Sequence, residues 1–164
     1  QPLAGLKVIE LARVLAGPLA GQTLADLGAE VIKVESPQGD DTRQWGPPFV
    51  GDESTYFLSV NRNKRSISVN LKSVEGLEFA TQLVRASDVL LENFGAGVLD
   101  RLGLGYDAMQ EINPSLVYCA LKGFLSGPYE QRAALDEVVQ MMGGLAYMTG
   151  PEGRPLRAGA SVKM

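Results

Sequence analysis

The sequence predicts an α/β protein with a doubly wound, mainly parallel sheet. Five short apolar runs alternate with stretches patterned as helices, and glycine or proline punctuates most junctions. The 45% hydrophobic content of the 164 residues is enough for one domain with a buried core.

Lys7 to Leu11 reads as the first strand, Ala16-Gly17-Pro18 as a turn, and Leu19 to Leu27 as a helix built on small residues. Gly28 stops that helix, and Glu30 to Glu35 alternates as the second strand, so the opening is a βαβ unit with a right-handed crossover. Glycine and alanine at 16, 17, 20, 21 and 25 let helix and sheet backbones approach closely. Ser36 to Gly51, rich in Pro, Gly and Asp and carrying Trp45, reads as a long irregular excursion of the functional kind. Ser66 to Asn70 is the third strand, and Val74 to Val84 has apolar residues at helical spacing. Asp88 to Leu91 is the fourth strand. Val98 to Leu102 and Asp107 to Ile112 read as short helices ending near Pro114, before a fifth strand over Leu116 to Leu121. Asp136 to Leu145 is a last helix, punctuated by Gly143-Gly144.

Composition removes several kinds of chemistry. The chain has no histidine, so histidine-based triads, metal sites and general bases are out, and any reaction must use carboxylates, lysines, hydroxyls or backbone groups. A single cysteine, Cys119, excludes an internal disulfide and a thiolate-rich zinc site; its apolar surroundings predict a buried thiol. Charged residues make up 21% of the chain with a net charge of -4, which gives no electrostatic basis for nucleic-acid binding. Arg62, Lys64 and Arg65 form a local cluster able to anchor a small phosphorylated ligand. No apolar stretch approaches the roughly 20 residues that span a bilayer, and the N-terminus has no signal-peptide pattern, so neither membrane nor nucleic acid is an expected partner. The expectation is a cytoplasmic protein. The chain opens on Gln1 rather than Met, so removal of a segment addressing it to mitochondria or peroxisomes is the alternative.

In doubly wound sheets ligands bind beyond the carboxyl ends of the strands. The loops so placed are Ala12 to Pro18, Ser36 to Gly51, Glu92 to Gly97 and Lys122 to Gly127. A nicotinamide site fits poorly: there is no G-x-G-x-x-G, and the proline after Gly17 alters the turn that would approach a pyrophosphate. Glu35, ending the second strand, reads as a solvated carboxylate or as the partner of a nearby cation.

A set of segments taken together says more. They are Leu3-Ala4-Gly5-Leu6-Lys7-Val8-Ile9-Glu10, Ala16-Gly17-Pro18, Leu27 to Glu35, Asn63-Lys64-Arg65-Ser66-Ile67, Asp88 to Phe94, Leu99-Asp100-Arg101-Leu102-Gly103 and Asn113 to Tyr118. In this order and spacing the chain resembles the family III coenzyme A transferases over essentially its whole length. The resemblance implies a Rossmann-like large domain, CoA and acyl-CoA as substrates rather than a permanently bound cofactor, a small carboxylic acid as second substrate, and a homodimer of interlocked chains. By the same resemblance Leu15 and Ala16 border the CoA, Lys72 lies beside its nucleotide end, and Asn93, Phe94 and Gly95 line the next loop. Arg101 follows on a short helix, and Lys122 and Asp136 lie near the thioester. Lys72 and Arg101 would meet phosphates, with a solvated surface charge the plain alternative for Lys72. Asp136 has a helix N-cap as its plain alternative. One member that the chain resembles carries an arginine at the position of Ser36, so that phosphate contact is absent here or supplied by Arg43.

The racemase branch of the family pairs a histidine with an aspartate, and Leu135 stands where that histidine would be. Transfer is therefore the expectation, and the run Asp41 to Phe49 resembles the members that use dicarboxylates. The remaining alternatives are a racemase-like enzyme and a catalytically dead CoA-binding module. The resemblance implies an aspartate nucleophile shortly after a turn like Gly159-Ala160-Ser161-Val162, and counting places it at Met164, so no catalytic nucleophile is identified and Asp136 is a supporting carboxylate. Residues 1–164 are thus expected to be the N-terminal part of a large domain, without the small domain and the returning segment, and inactive alone.

Overall fold

In the computed structural model, residues 1–159 are described. They fall into two units, one over Gln1–Leu121 and a second from Lys122 onward. The first unit opens with strand β1 (Lys7–Glu10), helix α1 (Ala16–Asp26) and strand β2 (Glu30–Glu35). Gly28 at φ +105 turns the chain between α1 and β2, a left-handed conformation that glycine adopts without a steric penalty. Helix α1 begins three residues earlier than its apolar pattern suggests. Pro18 is tolerated in the first turn, where amides have no intrahelical acceptor.

After β2 the chain makes a short 3-10 turn (Asp41–Gln44), a small hairpin of β3 (Phe49–Val50) and β4 (Glu53–Ser54), and helix α2 (Thr55–Asn61). The excursion expected to be irregular is therefore partly ordered, and α2 is an addition to the expected elements. Its start is fixed by the Ser54 hydroxyl, which accepts from the amides of Tyr56 and Phe57. Strand β5 (Lys64–Ser68), helix α3 (Val74–Arg85), strand β6 (Val89–Glu92), helices α4 (Val98–Arg101) and α5 (Tyr106–Ile112), and strand β7 (Val117–Ala120) complete this unit. β5 starts two residues before the expected run because Lys64 and Arg65 pair in register with Val31 and Ile32 of β2.

The five long strands form one sheet in the order β5-β2-β1-β6-β7, and every pairing is parallel. This is the doubly wound arrangement expected. Strand alternation assigns two faces. On one, Val8, Val31 and Leu91 pack with Ala25 and Ala29 from α1 and its C-terminal turn. On the other, Ile9, Val34 and Leu90 pack with Ala80 and Val84 of α3, Leu99 of α4 and Met109 of α5. Cys119 is exposed, contrary to the buried thiol expected, because β7 is an edge strand with most of its residues open. In the second unit, the single helix expected from Asp136 to Leu145 is two, α6 (Asp136–Met142) and α7 (Leu145–Thr149), parted by Gly144 at φ +81.

Candidate active site at the switch point

The strand order reverses between β1 and β6: from β1 the chain moves outward to β2 and β5, then crosses to β6 and β7. The loops leaving these two strands flank the crevice in which doubly wound folds bind ligands. Several polar backbone groups in the first of them have fixed partners. The Leu11 amide donates to Leu91 O at 2.8 Å and Lys33 Nζ donates to Ala12 O at 2.8 Å. Asn93, from the loop after β6, grips Arg13 on both sides: its Oδ1 accepts from the Arg13 amide at 3.0 Å and its Nδ2 donates to Arg13 O at 2.7 Å. The Val14 amide donates to the Asp40 carboxylate, 3.3 and 3.4 Å from its two oxygens.

This loop is held in an unusual shape. Val14 has φ +70, a left-handed conformation costing a β-branched residue about 1–2 kcal/mol. Just beyond it Gly17 packs on Ala12, and a Cβ at Gly17 would fall 2.0 Å from Ala12 Cβ. Glycine at position 17 of the Ala16-Gly17-Pro18 motif is thus a steric necessity. It brings the amino end of α1, which has no acidic residue in its first turn, to the crevice, where the helix dipole favours an anion.

Behind the loop lies a lattice of buried charges. Glu10, Lys33, Glu35, Lys64 and Ser66 all project to the α1 side of the sheet, as strand alternation requires. Lys33 Nζ is 3.0 Å from Glu10 Oε1 and 2.9 Å from Asp40 Oδ2, and Lys64 Nζ is 2.8 Å from Glu10 Oε2; these four side chains are at most 2% exposed. Two cations meet two anions, which is what makes their burial tolerable. Lys64 also donates to the carbonyls of Pro18 and Val60 and to Asn61 Oδ1. Burial pushes its ammonium pKa down, with Glu10 working the other way. For Asp40, burial would raise the pKa, but the Thr42 amide and Lys33 together hold it below the ordinary carboxylate value. Glu35 accepts two parallel bonds from Arg43, at 2.8 and 2.7 Å, together with Ser66 Oγ and the Asp40 amide. Against the cost of burial, these donors bring its pKa down to about 2.

These contacts correct or decide several expectations. Arg62, Lys64 and Arg65 do not form one basic patch: Lys64 is internal, Arg62 pairs with Asp26, and Arg65 pairs with Glu30. Glu35 is the partner of a cation, Arg43, which also lies 3.8 Å over the Phe57 ring. Asp136 is the first residue of α6 and not its cap, which is Leu135. Its carboxylate accepts from Gln140 Nε2 at 2.8 Å and lies 3.4 Å from Arg157 Nε.

Of the residues picked out by sequence, Leu15, Asn93, Phe94 and Gly95 sit on the two switch-point loops, and Ala16 is the first residue of α1, where the first of those loops ends. Phe94 packs on the larger core cluster, and its amide donates to the buried Glu92 carboxylate at 2.8 Å. Arg101 ends α4 and is exposed, its guanidinium reaching back over Gly97. Lys72 is exposed after β5, two strands away from β1, roughly 10 Å at ordinary strand spacing. Lys122 and Asp136 belong to the second unit, and Met164 lies outside the described residues. Sequence reasoning missed Glu10, Lys33 and Asp40. A shallow groove between Trp45, Gly46, Pro47, Pro48, Thr55, Tyr56 and Ser59 is a further concavity of the first unit.

An all-parallel doubly wound sheet with a pinned loop at its switch point defines a Rossmann-like α/β protein. Its family follows from comparison: the profile of CoA-transferase family III matches residues 3–163, and the chain belongs to that family. A human protein named succinyl-CoA:glutarate CoA-transferase is 53% identical over 99% of this chain and 38% of its own length. A formyl-CoA:oxalate CoA-transferase from Streptomyces coelicolor is 47% identical over 99% of this chain and 40% of its own. The crystal structure of a CAIB/BAIF family protein from Brucella suis superposes with a TM-score of 0.92 at 52% identity, over 98% of this chain and 44% of that one. The chain therefore spans less than half the length of these relatives. Among the described residues no helix is long and apolar enough to cross a membrane.

Proposed function

We propose that the protein carrying this sequence moves coenzyme A from an acyl-CoA donor to a small carboxylic acid, a dicarboxylate by preference, as a homodimer of interlocked chains. The observation that carries this reading is the switch point: a backbone loop fixed by Asn93 and Asp40, beside the amino end of α1, in a chain of a CoA-transferase family. The CoA diphosphate would meet the first amides of α1, Arg101 would supply a charge-assisted contact, and Phe94 an apolar face. Lys72 would reach the nucleotide end. Lys122 and Asp136 would serve the thioester, Asp136 in a supporting role. The names of the relatives favour dicarboxylates.

In the reaction we propose, a carboxylate attacks the donor thioester carbonyl, giving an acyl anhydride and CoA thiolate. The thiolate then attacks the enzyme carboxyl carbon, releasing the donor acid and leaving an enzyme-bound CoA thioester. The acceptor carboxylate repeats these steps in reverse order and leaves as its CoA ester. A thioether offers no oxygen for such an anhydride, so Met164 cannot fill the role. We infer that these 164 residues alone do not turn over acyl-CoA.

The test is a donor–acceptor screen of the full-length protein carrying Met164→Asp, with succinyl-CoA and formyl-CoA against glutarate and oxalate, followed by mass spectrometry after hydroxylamine. Transfer with a hydroxylamine-sensitive adduct is expected. CoA binding without transfer to any acid would replace this reading with a binding module, and absence of CoA binding would end it.

A further inference from the structure

The loop after β1 shows a local conflict that the proposed chemistry does not use directly. Valine is a poor residue for φ +70, yet Val14 occupies that conformation between a doubly bonded Arg13 and the helix that starts at Ala16. Such strain persists only where surrounding structure over-determines it, and it clusters at ligand clamps. Here the source of the constraint is visible. Asp40 accepts from the Val14 amide while its carboxylate is itself fixed by Lys33 at 2.9 Å, by the Thr42 amide at 3.0 Å and by Thr42 Oγ1 at 2.8 Å. Lys33 in turn holds Ala12 O, the carbonyl two residues before Val14. Glu10 anchors Lys33 from the end of β1 itself.

We propose that Glu10, Lys33 and Asp40 form a positioning device: they hold Val14 in its left-handed conformation, so the amides at the start of α1 are already aligned for an anionic ligand before it arrives. The inference rests on the reading of this loop as a CoA site. All three side chains are at most 1% exposed, out of reach of a ligand in the crevice. They act through the backbone of residues 12–14, and the ordering cost that binding would otherwise carry is met during folding. A buried ionic cluster maintained only for stability has no reason to converge on the one strained residue of the crevice.

The idea predicts a specific coupling. Asp40→Asn weakens the hold on the Val14 amide, the loop relaxes toward negative φ, and CoA affinity falls about tenfold by titration calorimetry with free coenzyme A. In a Val14→Gly background the same Asp40→Asn change costs no more than about threefold, because glycine populates positive φ unaided. Equal losses in the two backgrounds, or no loss in the Asp40→Asn protein, would overturn the proposal while leaving the CoA site in place. Absence of CoA binding by the wild-type protein would overturn both readings together. Should Asp40→Asn fail to fold, Val14→Pro provides the independent arm, since proline cannot reach φ +70. A folded Val14→Pro protein is expected to lose CoA affinity by more than about tenfold relative to Val14→Gly, and equal affinities would refute the device.

Discussion

The two faces of the sheet solve different problems. On the α3 and α5 side the central strands present Ile9, Val34 and Leu90 to Val84, Leu104 and Met109, and this core is apolar almost to the ends of the strands. On the α1 side the apolar part is smaller, and it gives way to Glu10, Lys33 and Glu35 toward the carboxyl ends of β1 and β2 and to Lys64 at the start of β5. The apolar face supplies cohesion without direction, since hydrophobic burial scales with area. The ionic face supplies direction, since each of its charges has a fixed partner at a fixed distance and two of them end on the backbone of the β1–α1 loop. Glu92 is the exception that fits: it lies on the apolar face, buried, and it too holds a loop amide, that of Phe94.

Removing one member from each face measures the difference. Lys33→Met leaves Asp40 and one oxygen of Glu10 without their cation in a buried site, an expected cost of about 3–5 kcal/mol in denaturant unfolding. Met109→Ala opens a cavity on the other face and is expected to cost about 2–4 kcal/mol. By the proposed reading of the switch point as a CoA site, the folded fraction of the Met109→Ala protein should bind CoA as the unaltered protein does, whereas that of Lys33→Met should bind it more weakly. Equal effects on affinity would erase the distinction between the faces.

Acid sharpens the same contrast. Glu35 has its pKa brought down from 4.5 to about 2, so its contribution is fully present above its unfolded value and is lost as pH falls through the folded one. Part of the Arg43 guanidinium is open to water, so we expect about 2–3 kcal/mol from this group. Stability should therefore decline between about pH 4.5 and pH 2, and Glu35→Gln should flatten that decline while costing a similar amount at neutrality. Differential scanning calorimetry across this range decides it: an unchanged acid profile in Glu35→Gln would show that another carboxylate dominates.

The apolar face was legible in the sequence and the ionic face was not, for a physical reason. Periodicity reads burial through hydrophobicity, so Leu90 and Val34 announce themselves, but a lysine in the middle of Glu30–Glu35 looks like the solvated half of an alternating strand. In a sheet covered on both faces no strand residue near the centre is solvated, and once the five parallel strands were expected, Lys33 and Glu35 could have been read as buried and in need of partners. The switch-point residues Leu15, Ala16 and Asn93 were reached by resemblance and topology together. Their geometry, with Asn93 spending its amide on the Arg13 backbone, depends on contacts 80 residues apart that no local pattern encodes. Helix α2 was missed because its seven residues are too few for a periodic signal, although its Ser54 cap was there to be seen. Cys119 was misplaced because an apolar run reports a strand and not whether the strand lies at the sheet edge.

The smallest expected effect on stability falls on a residue that belongs to neither face. Arg101 closes the single-turn helix α4, which the chain enters through Gly97 at φ +70. Its side chain folds back over that glycine, with Nη1 only 3.1 Å from where a Cβ would stand, so the guanidinium is directed along the loop that follows β6. It is exposed, and truncating it removes no core contact; Arg101→Ala should leave the unfolding free energy within about 0.5 kcal/mol of wild type. If the guanidinium meets a phosphate of CoA, its loss should raise the Michaelis constant for the acyl-CoA donor about fivefold to tenfold while leaving that for the acceptor acid unchanged. Arg101→Lys keeps the charge and loses the planar fork, and should fall between the two. Because the site is open to water, the gap between wild type and Arg101→Ala should narrow as ionic strength rises from about 0.05 to 0.5 M, where the screening length drops to a few ångströms. A donor Michaelis constant unchanged in Arg101→Ala at low salt would remove Arg101 from the site and leave the switch-point loops to hold the ligand through backbone amides alone.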